Sequence, residues 1–221
     1  MTPDLLICDC DGVLVDSEVV ACRIDAEELA RRGFGNYPLD EVLRRFAGMS
    51  QRDMIDTIER ESGRSLGEDF SVVVAERMEK ALAESLEPLP GADVVLANCG
   101  LPKCVASSST PRRLMLALTA AGLIHHFKPH IFSSTLVQHG KPAPDLFLYA
   151  AAQFGTSRDR CCVIEDSTAG VAAARAAGMM VIGFVGGSHC QCDHAERLRL
   201  SGADAIMSRW AELPSFLSNL G

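Results

Sequence analysis

The segment that most constrains this chain is Leu5-Leu6-Ile7-Cys8 running into Asp9-Cys10-Asp11-Gly12. A short apolar run bounded by a glycine turn signal reads as a buried strand. It carries two carboxylates, spaced i, i+2, to its C-terminal tip. Two acids so close do not both ionise comfortably without a cation or a shared proton. A plain acidic loop after a strand is the rival reading, and three further segments downstream argue against it.

Residues 17–32 show helical spacing, with Ser17 placed to cap the start and Gly33 to stop it. Further helices are expected at 39–46, 51–61 and 70–86, with nothing strand-like between them. Glu87-Pro88-Leu89-Pro90-Gly91 then punctuates the chain like a hinge. Beyond it, expected strands at 103–106, 131–132, 160–164, 181–184 and 205–207 alternate with expected helices at 92–99, 111–121, 144–154, 169–177, 193–200 and 210–219. Alternation of this kind implies βα units and an α/β fold, a parallel sheet with helices on both faces, which the first strand joins most economically. The expected division is a core of residues 1–15 and 88–221 and an inserted all-helical cap at 16–87.

Three strand-tip segments carry further polar groups. Val105-Ala106-Ser107-Ser108-Ser109-Thr110 ends a strand in hydroxyls ahead of Pro111, a favoured first helical residue. Hydroxyls and free N–H groups there suit a phosphate, although a simple N-cap would use the same residues. Gly140-Lys141-Pro142-Ala143-Pro144-Asp145 holds one of only four lysines in the chain, beside prolines that stiffen its backbone. A fixed ammonium partners a phosphoryl group well; a surface turn is the alternative. Val163-Ile164-Glu165-Asp166-Ser167-Thr168 repeats the opening architecture, an apolar strand followed by paired acids. Two acids at each of two strand tips make a hard-cation site of the kind Mg²⁺ occupies, with helix capping by Asp166 or Ser167 as the rival role.

The formal charge of −8 speaks against nucleic-acid or anionic-membrane partners, since neither attracts an acidic surface, but it leaves a small phosphorylated substrate open. The longest apolar stretch, residues 176–185, is far short of the ~20 residues a membrane helix needs. Met1-Thr2-Pro3-Asp4 is no basic lead-in to an apolar signal segment, so a cytoplasmic location is expected. Nine cysteines, odd in number and often adjacent, suit a reduced protein better than a disulfide scaffold. His189-Cys190-Gln191-Cys192-Asp193-His194 is dense enough in soft ligands to hold a metal. Structural zinc sites usually draw on two separated ligand pairs, however, and an ordinary loop is the simpler reading.

Taken together, D-x-D-G, the strand-terminal serine, K-P with a following acid, and E-D-S resemble the haloacid dehalogenase superfamily, in its phosphatase/phosphoglucomutase branch with a helical cap after the first motif. The resemblance implies a Rossmann-like core and Mg²⁺-dependent phosphoryl transfer through an aspartyl-phosphate. It makes Asp9 the nucleophile and Asp11 the acid and then the base. Mg²⁺ would be held by Asp9, the Asp11 backbone carbonyl and Asp166, with Glu165 a ligand or just behind. Ser107, with Ser108, would donate to phosphoryl oxygens, and Lys141 would offset their charge. Glu18, Gln51 and Arg52 are the cap positions expected to meet the substrate, a small phosphorylated sugar or sugar acid.

Dehalogenases of the superfamily need neither Asp11 nor Glu165-Asp166. Phosphonoacetaldehyde hydrolases place a lysine in the cap loop, and residues 47–53 hold none. β-Phosphoglucomutases carry an arginine where this chain has Gln51, and a histidine where it has Ala21. The expectation is therefore a phosphatase, with a phosphosugar mutase as the alternative and a non-catalytic phosphate-binding regulator as the remoter one.

Overall fold

The computed structural model describes residues 2–47 and 49–219. Strand β1 (Leu5–Cys8) leads into four successive helices, α1 (Glu18–Arg31), α2 (Leu39–Phe46), α3 (Gln51–Ser62) and α4 (Phe70–Ser85), with no strand between them among the described residues. Strands and helices then alternate: α5 (Ala92–Asn98), β2 (Lys103–Ser107), α6 (Pro111–Ala120), β3 (Ile131–Ser133), α7 (Asp145–Gln153), β4 (Cys161–Glu165), α8 (Thr168–Ala176), β5 (Met180–Phe184), α9 (His194–Leu200), β6 (Ala205–Met207) and α10 (Leu213–Asn219). All strand pairs are parallel, in the order β3-β2-β1-β4-β5-β6. The fold is thus an α/β sheet flanked by helices, as the alternation implied.

The period of two along each strand sorts the apolar side chains onto two faces. Leu6, Cys8, Val105, Cys162 and Ile164 fall on one side, against Leu96 of α5, Leu114 and Leu118 of α6, and Leu213 of α10. Leu5, Ile7, Cys104, Ala106 and Val163 fall on the other, against Phe147 of α7, Val171 of α8 and Leu198 of α9. The buried residues of α1–α4, among them Leu29, Ile58 and Leu82, join the first of these cores, and α4 packs on α6. All nine cysteines are free, and most are buried as small apolar groups. Among the described residues, no helix is long and apolar enough to cross a membrane.

Two local expectations need correction. Strands β2 and β4 each run one residue further than the apolar pattern indicated, so Ser107 and Glu165 are the last residues of their strands. Ser17 does not cap α1; its hydroxyl donates instead to Asp11. The backbone at Ser17 is already helical rather than extended, the conformation from which a cap oxygen reaches back to accept.

The two connections to the helical segment lie side by side. Val15 and Pro88 form an antiparallel bridge, and Leu89 N donates to Leu14 O at 2.8 Å. Next to them Trp210, fully buried, donates Nε1–H to Val13 O at 2.8 Å. Replacing Trp210 by Phe strands that buried carbonyl and leaves a void. A loss of about 2 kcal/mol in unfolding free energy is expected by urea titration.

Candidate active site

In this strand order the chain leaves β1 to one side through β2 and to the other through β4, and the carboxyl ends of these strands border a crevice at the reversal. Cys8 is level with Val105 on β2 and Ile164 on β4. Asp9, Ser107, Glu165 and Asp166 therefore emerge at the same end of three adjacent strands. Asp9 N donates to Ile164 O at 2.9 Å, extending the ladder into the site.

Lys141 joins these tips. Its Nζ lies 2.6 Å from Asp9 Oδ1, 2.5 Å from Glu165 Oε1 and 3.0 Å from Ala106 O, and its side chain is 5% exposed. Burial works against the ammonium, but the two carboxylates outweigh it and hold Lys141 protonated. Oxygens of Asp9, Glu165 and Asp166 lie within 4.8 Å of one another. Burial pushes the Asp9 carboxyl up against the pull of Lys141, and Glu165 and Asp166 push it further. Asp166 is also raised, first by burial and then by the charge of Glu165. With all three acids ionised beside one ammonium the cluster would carry two excess negative charges, which a divalent cation would balance. The donors are all carboxylate oxygens, the set a hard cation such as Mg²⁺ takes.

Two glycines make room for this crowding. At Gly12, φ is +79°, and a Cβ there would stand 1.9 Å from Asp166 Oδ2. At Gly170, a Cβ would stand 1.8 Å from Glu165 Oε1. Glu165 Oε2 also accepts from Ser167 N at 2.8 Å and Ser167 Oγ at 3.0 Å. Ser167, not Asp166, caps α8, by accepting from Gly170 N. Thr110 likewise caps α6 by accepting from Arg113 N, so Ser107, Ser108 and Ser109 are not used as caps.

Asp11 faces away from the carboxylate cluster. Its Oδ1 accepts from the Ser17 hydroxyl and from Arg113 Nη2 at 3.0 Å, and Oδ2 accepts from Ser109 Oγ at 2.6 Å. Burial pushes its carboxyl up, but Arg113 and the two hydroxyls more than offset this and hold it below the usual range.

A cleft of about 470 Å³ brings together Asp9, Asp11, Ser107, Ser108, Lys141, Glu165 and Asp166 with Glu18 and Gln51 from the helical segment. Arg52 is exposed and does not line it. Of the cap loop, Gly48 lies outside the described residues.

The profile of the haloacid dehalogenase-like hydrolases matches residues 3–178. The chain belongs to this family. It is 30% identical over 182 residues to a 6-phosphogluconate phosphatase of Escherichia coli K12, covering 82% of each chain. It is 32% identical over 175 residues to the E. coli fructose-1-phosphate phosphatase YqaB, covering 79% of this chain and 92% of that one. The crystal structure of a haloacid dehalogenase-like protein of unknown function from Agrobacterium tumefaciens C58 superposes with a TM-score of 0.90 at 39% identity, over 98% of both chains.

Several groups that build the site in this hydrolase were not singled out from sequence. Arg113 is one of many arginines and stands out only by its place one turn after the hydroxyl-rich strand end. Ser109 is one hydroxyl among four in its run, and Ser17 has the sequence position of a helix cap. His189 Nε2 lies 3.0 Å from Asp166 Oδ2, and His194 Nε2 lies 2.6 Å from Asp166 O. Both imidazoles thus hold Asp166 in place, one through its carboxylate and one through its carbonyl. The His-Cys-His cluster does converge, with donors of His189, Cys190 and His194 within 4.8 Å, whereas Cys192 is exposed.

Removing Lys141 isolates the carboxylates. Lys141→Ala is expected to cost about 3 kcal/mol or more at pH 8 without metal. Asp9 and Asp166 are already raised, so their protonated forms favour the folded state and stability should recover as pH falls. Added Mg²⁺ should also narrow the gap to the unsubstituted protein, read by urea unfolding.

Proposed function

We propose that the protein is a Mg²⁺-dependent phosphatase of small phosphorylated metabolites, of the sugar-phosphate class, working through a phosphoryl group on Asp9. The observation that carries this reading is Asp9 itself: a buried carboxylate 2.6 Å from Lys141, within the acidic cluster, lining an open cleft. The relatives named as sugar-phosphate phosphatases support the substrate class.

In this reading the cation would be held by Asp9, the backbone carbonyl of Asp11 and Asp166. Both Glu165 oxygens are engaged by Lys141 and Ser167, which makes Glu165 a support behind the ligands. When bound, the cation offsets the charge of the phosphoryl oxygens. Ser107, Ser108 and Lys141 hold those oxygens in line with Asp9, and such positioning accounts for most of what phosphoryl transfer needs.

Asp9 attacks phosphorus, the bond from phosphorus to the alcohol oxygen breaks, and Asp11 gives its proton to that oxygen. Water then attacks phosphorus and returns a proton to Asp11, the bond to Asp9 breaks, and inorganic phosphate leaves. Arg113 holds Asp11 ionised in this structure, so the first proton transfer requires Asp11 to part from Arg113 and take up a proton. Arg52 is exposed and lies outside the cleft.

Asp9→Asn is expected to lower kcat on p-nitrophenyl phosphate about 10³-fold or more without changing the circular dichroism spectrum, because an amide is no nucleophile. A phosphoenzyme trapped on any other residue would refute the assignment. Chelation with EDTA should abolish activity and Mg²⁺ restore it, with Ca²⁺ a poor substitute because its coordination is longer and looser. Full activity in a metal-free preparation would overturn the metal role.

A further inference from the structure

The catalytic cleft continues into the helical segment. A second cavity of about 210 Å³ opens from it, and Glu18, Met49, Gln51 and Arg113 line both spaces and so form the passage between them. One wall is a single stripe of α1: Glu18, Ala21, Cys22 and Asp25, the i, i+3, i+4, i+7 face of a helix. Ala21 and Cys22 are small, which leaves the space open between the two acids. The opposite walls are apolar, with Phe46, Met54 and Met78.

The polar groups of this cavity are mostly acceptors. Asp25 accepts from Gln51 Nε2 at 3.3 Å. Burial pushes the Asp25 carboxyl up to about 6; Gln51 opposes the rise, nearby Glu18 adds to it, and Arg113 pulls against it. Arg113 is the cavity's one cation among the lining residues, and its charge is already paired with Asp11 at 3.0 Å. Its Nε–H is buried and has no hydrogen-bond partner. A buried donor left unpaired is costly, and an acceptor oxygen on an occupant would satisfy it.

We propose that this cavity is the leaving-group subsite and that it selects an uncharged polyhydroxyl group, a sugar or sugar alcohol, over a sugar acid. Asp25 accepts from one of its hydroxyls, and Arg113 Nε donates to a hydroxyl oxygen. The assignment rests on the phosphatase reading above. Carboxylates only accept, so they need donors, and each hydroxyl supplies a donor as well as lone pairs. A carboxylate on the leaving group would bring another negative charge beside Glu18 and Asp25, and Arg113, the one cation among the described lining residues, is already paired with Asp11. A second phosphate meets the same opposition. The size of the cavity suits one short polyol chain better than a nucleotide.

The test is a matched pair of substrates that differ only at C1, sorbitol 6-phosphate and 6-phosphogluconate. The holoenzyme with Mg²⁺ is expected to show kcat/KM at least about 100-fold higher for sorbitol 6-phosphate. Asp25→Asn and Glu18→Gln should each reduce that ratio about 10-fold by removing one negative charge at nearly constant shape. Arg113→Lys, which has no Nε–H, should raise KM for sorbitol 6-phosphate. Equal turnover of the two substrates, or a preference for the acid, overturns the subsite assignment while p-nitrophenyl phosphate hydrolysis persists. A preference that both carboxamide variants leave intact also overturns it. Absence of any phosphomonoester hydrolysis is a different result, and it refutes the phosphatase reading itself.

Discussion

Lys141 is buried between two carboxylates, and much of the molecule is arranged around that fact. Removing an ammonium and three acids from water costs several kcal/mol per group unless each is closely paired. Pairing at 2.5–2.6 Å requires Asp9 and Glu165 to emerge from adjacent strands at the same level. The parallel register of β1 and β4 supplies this. It also requires that nothing stand between the carboxylates and the turns that follow, which is why Gly12 and Gly170 leave no room for a Cβ. The acid-rich cluster of Asp9, Glu165 and Asp166 is a donor set that could hold a hard cation.

Around this cluster the polar groups divide by task. His189 and His194 hold Asp166 through its carboxylate and its carbonyl, and Ser167 holds Glu165. Asp11 is held by a separate set: Ser17 just before α1, Ser109 of the β2–α6 turn, and Arg113 of the first turn of α6. The two acids of the D-x-D motif, two residues apart in sequence, thus sit in opposite electrostatic surroundings. Asp9 is pushed up by burial and neighbouring acids, and Asp11 is pulled down by an arginine. Without a cation beside it, Asp9 is therefore biased toward its neutral form, whereas Asp11 is biased toward its ionised form.

Much of this was legible from residue order. Apolar runs ending in Asp9, Ser107 and Glu165 marked three strand ends, and alternation of strands with helices placed those ends together. The scarcity of lysine drew attention to Lys141. What was not legible depended on three-dimensional proximity between residues with no local signal. Arg113 reads as an ordinary helix arginine, and only its packing beside Asp11 distinguishes it. Ser17 has the sequence of a helix cap, yet the Asp11 carboxylate takes its hydroxyl. The 189–194 stretch reads most simply as an ordinary loop; in the fold its histidines reach Asp166 while also converging with Cys190. Arg52 and Gln51 are neighbours in sequence, but a helix turns them about 100° apart, and only Gln51 faces the cleft.

The bridge between Val15 and Pro88 has an architectural consequence. Because the chain enters and leaves the helical segment at adjacent points, the sheet closes without it: joining residue 15 to residue 88 would span no more than a strand spacing. Insertions of different length or shape could occupy that position without disturbing strand order, register or the carboxylate cluster. The shared apolar core sets the limit on such exchange, since Leu82 and its neighbours cover the same face as α5 and α6. A replacement module would have to present its own apolar surface there, and the wall it brought to the cleft would be free to change.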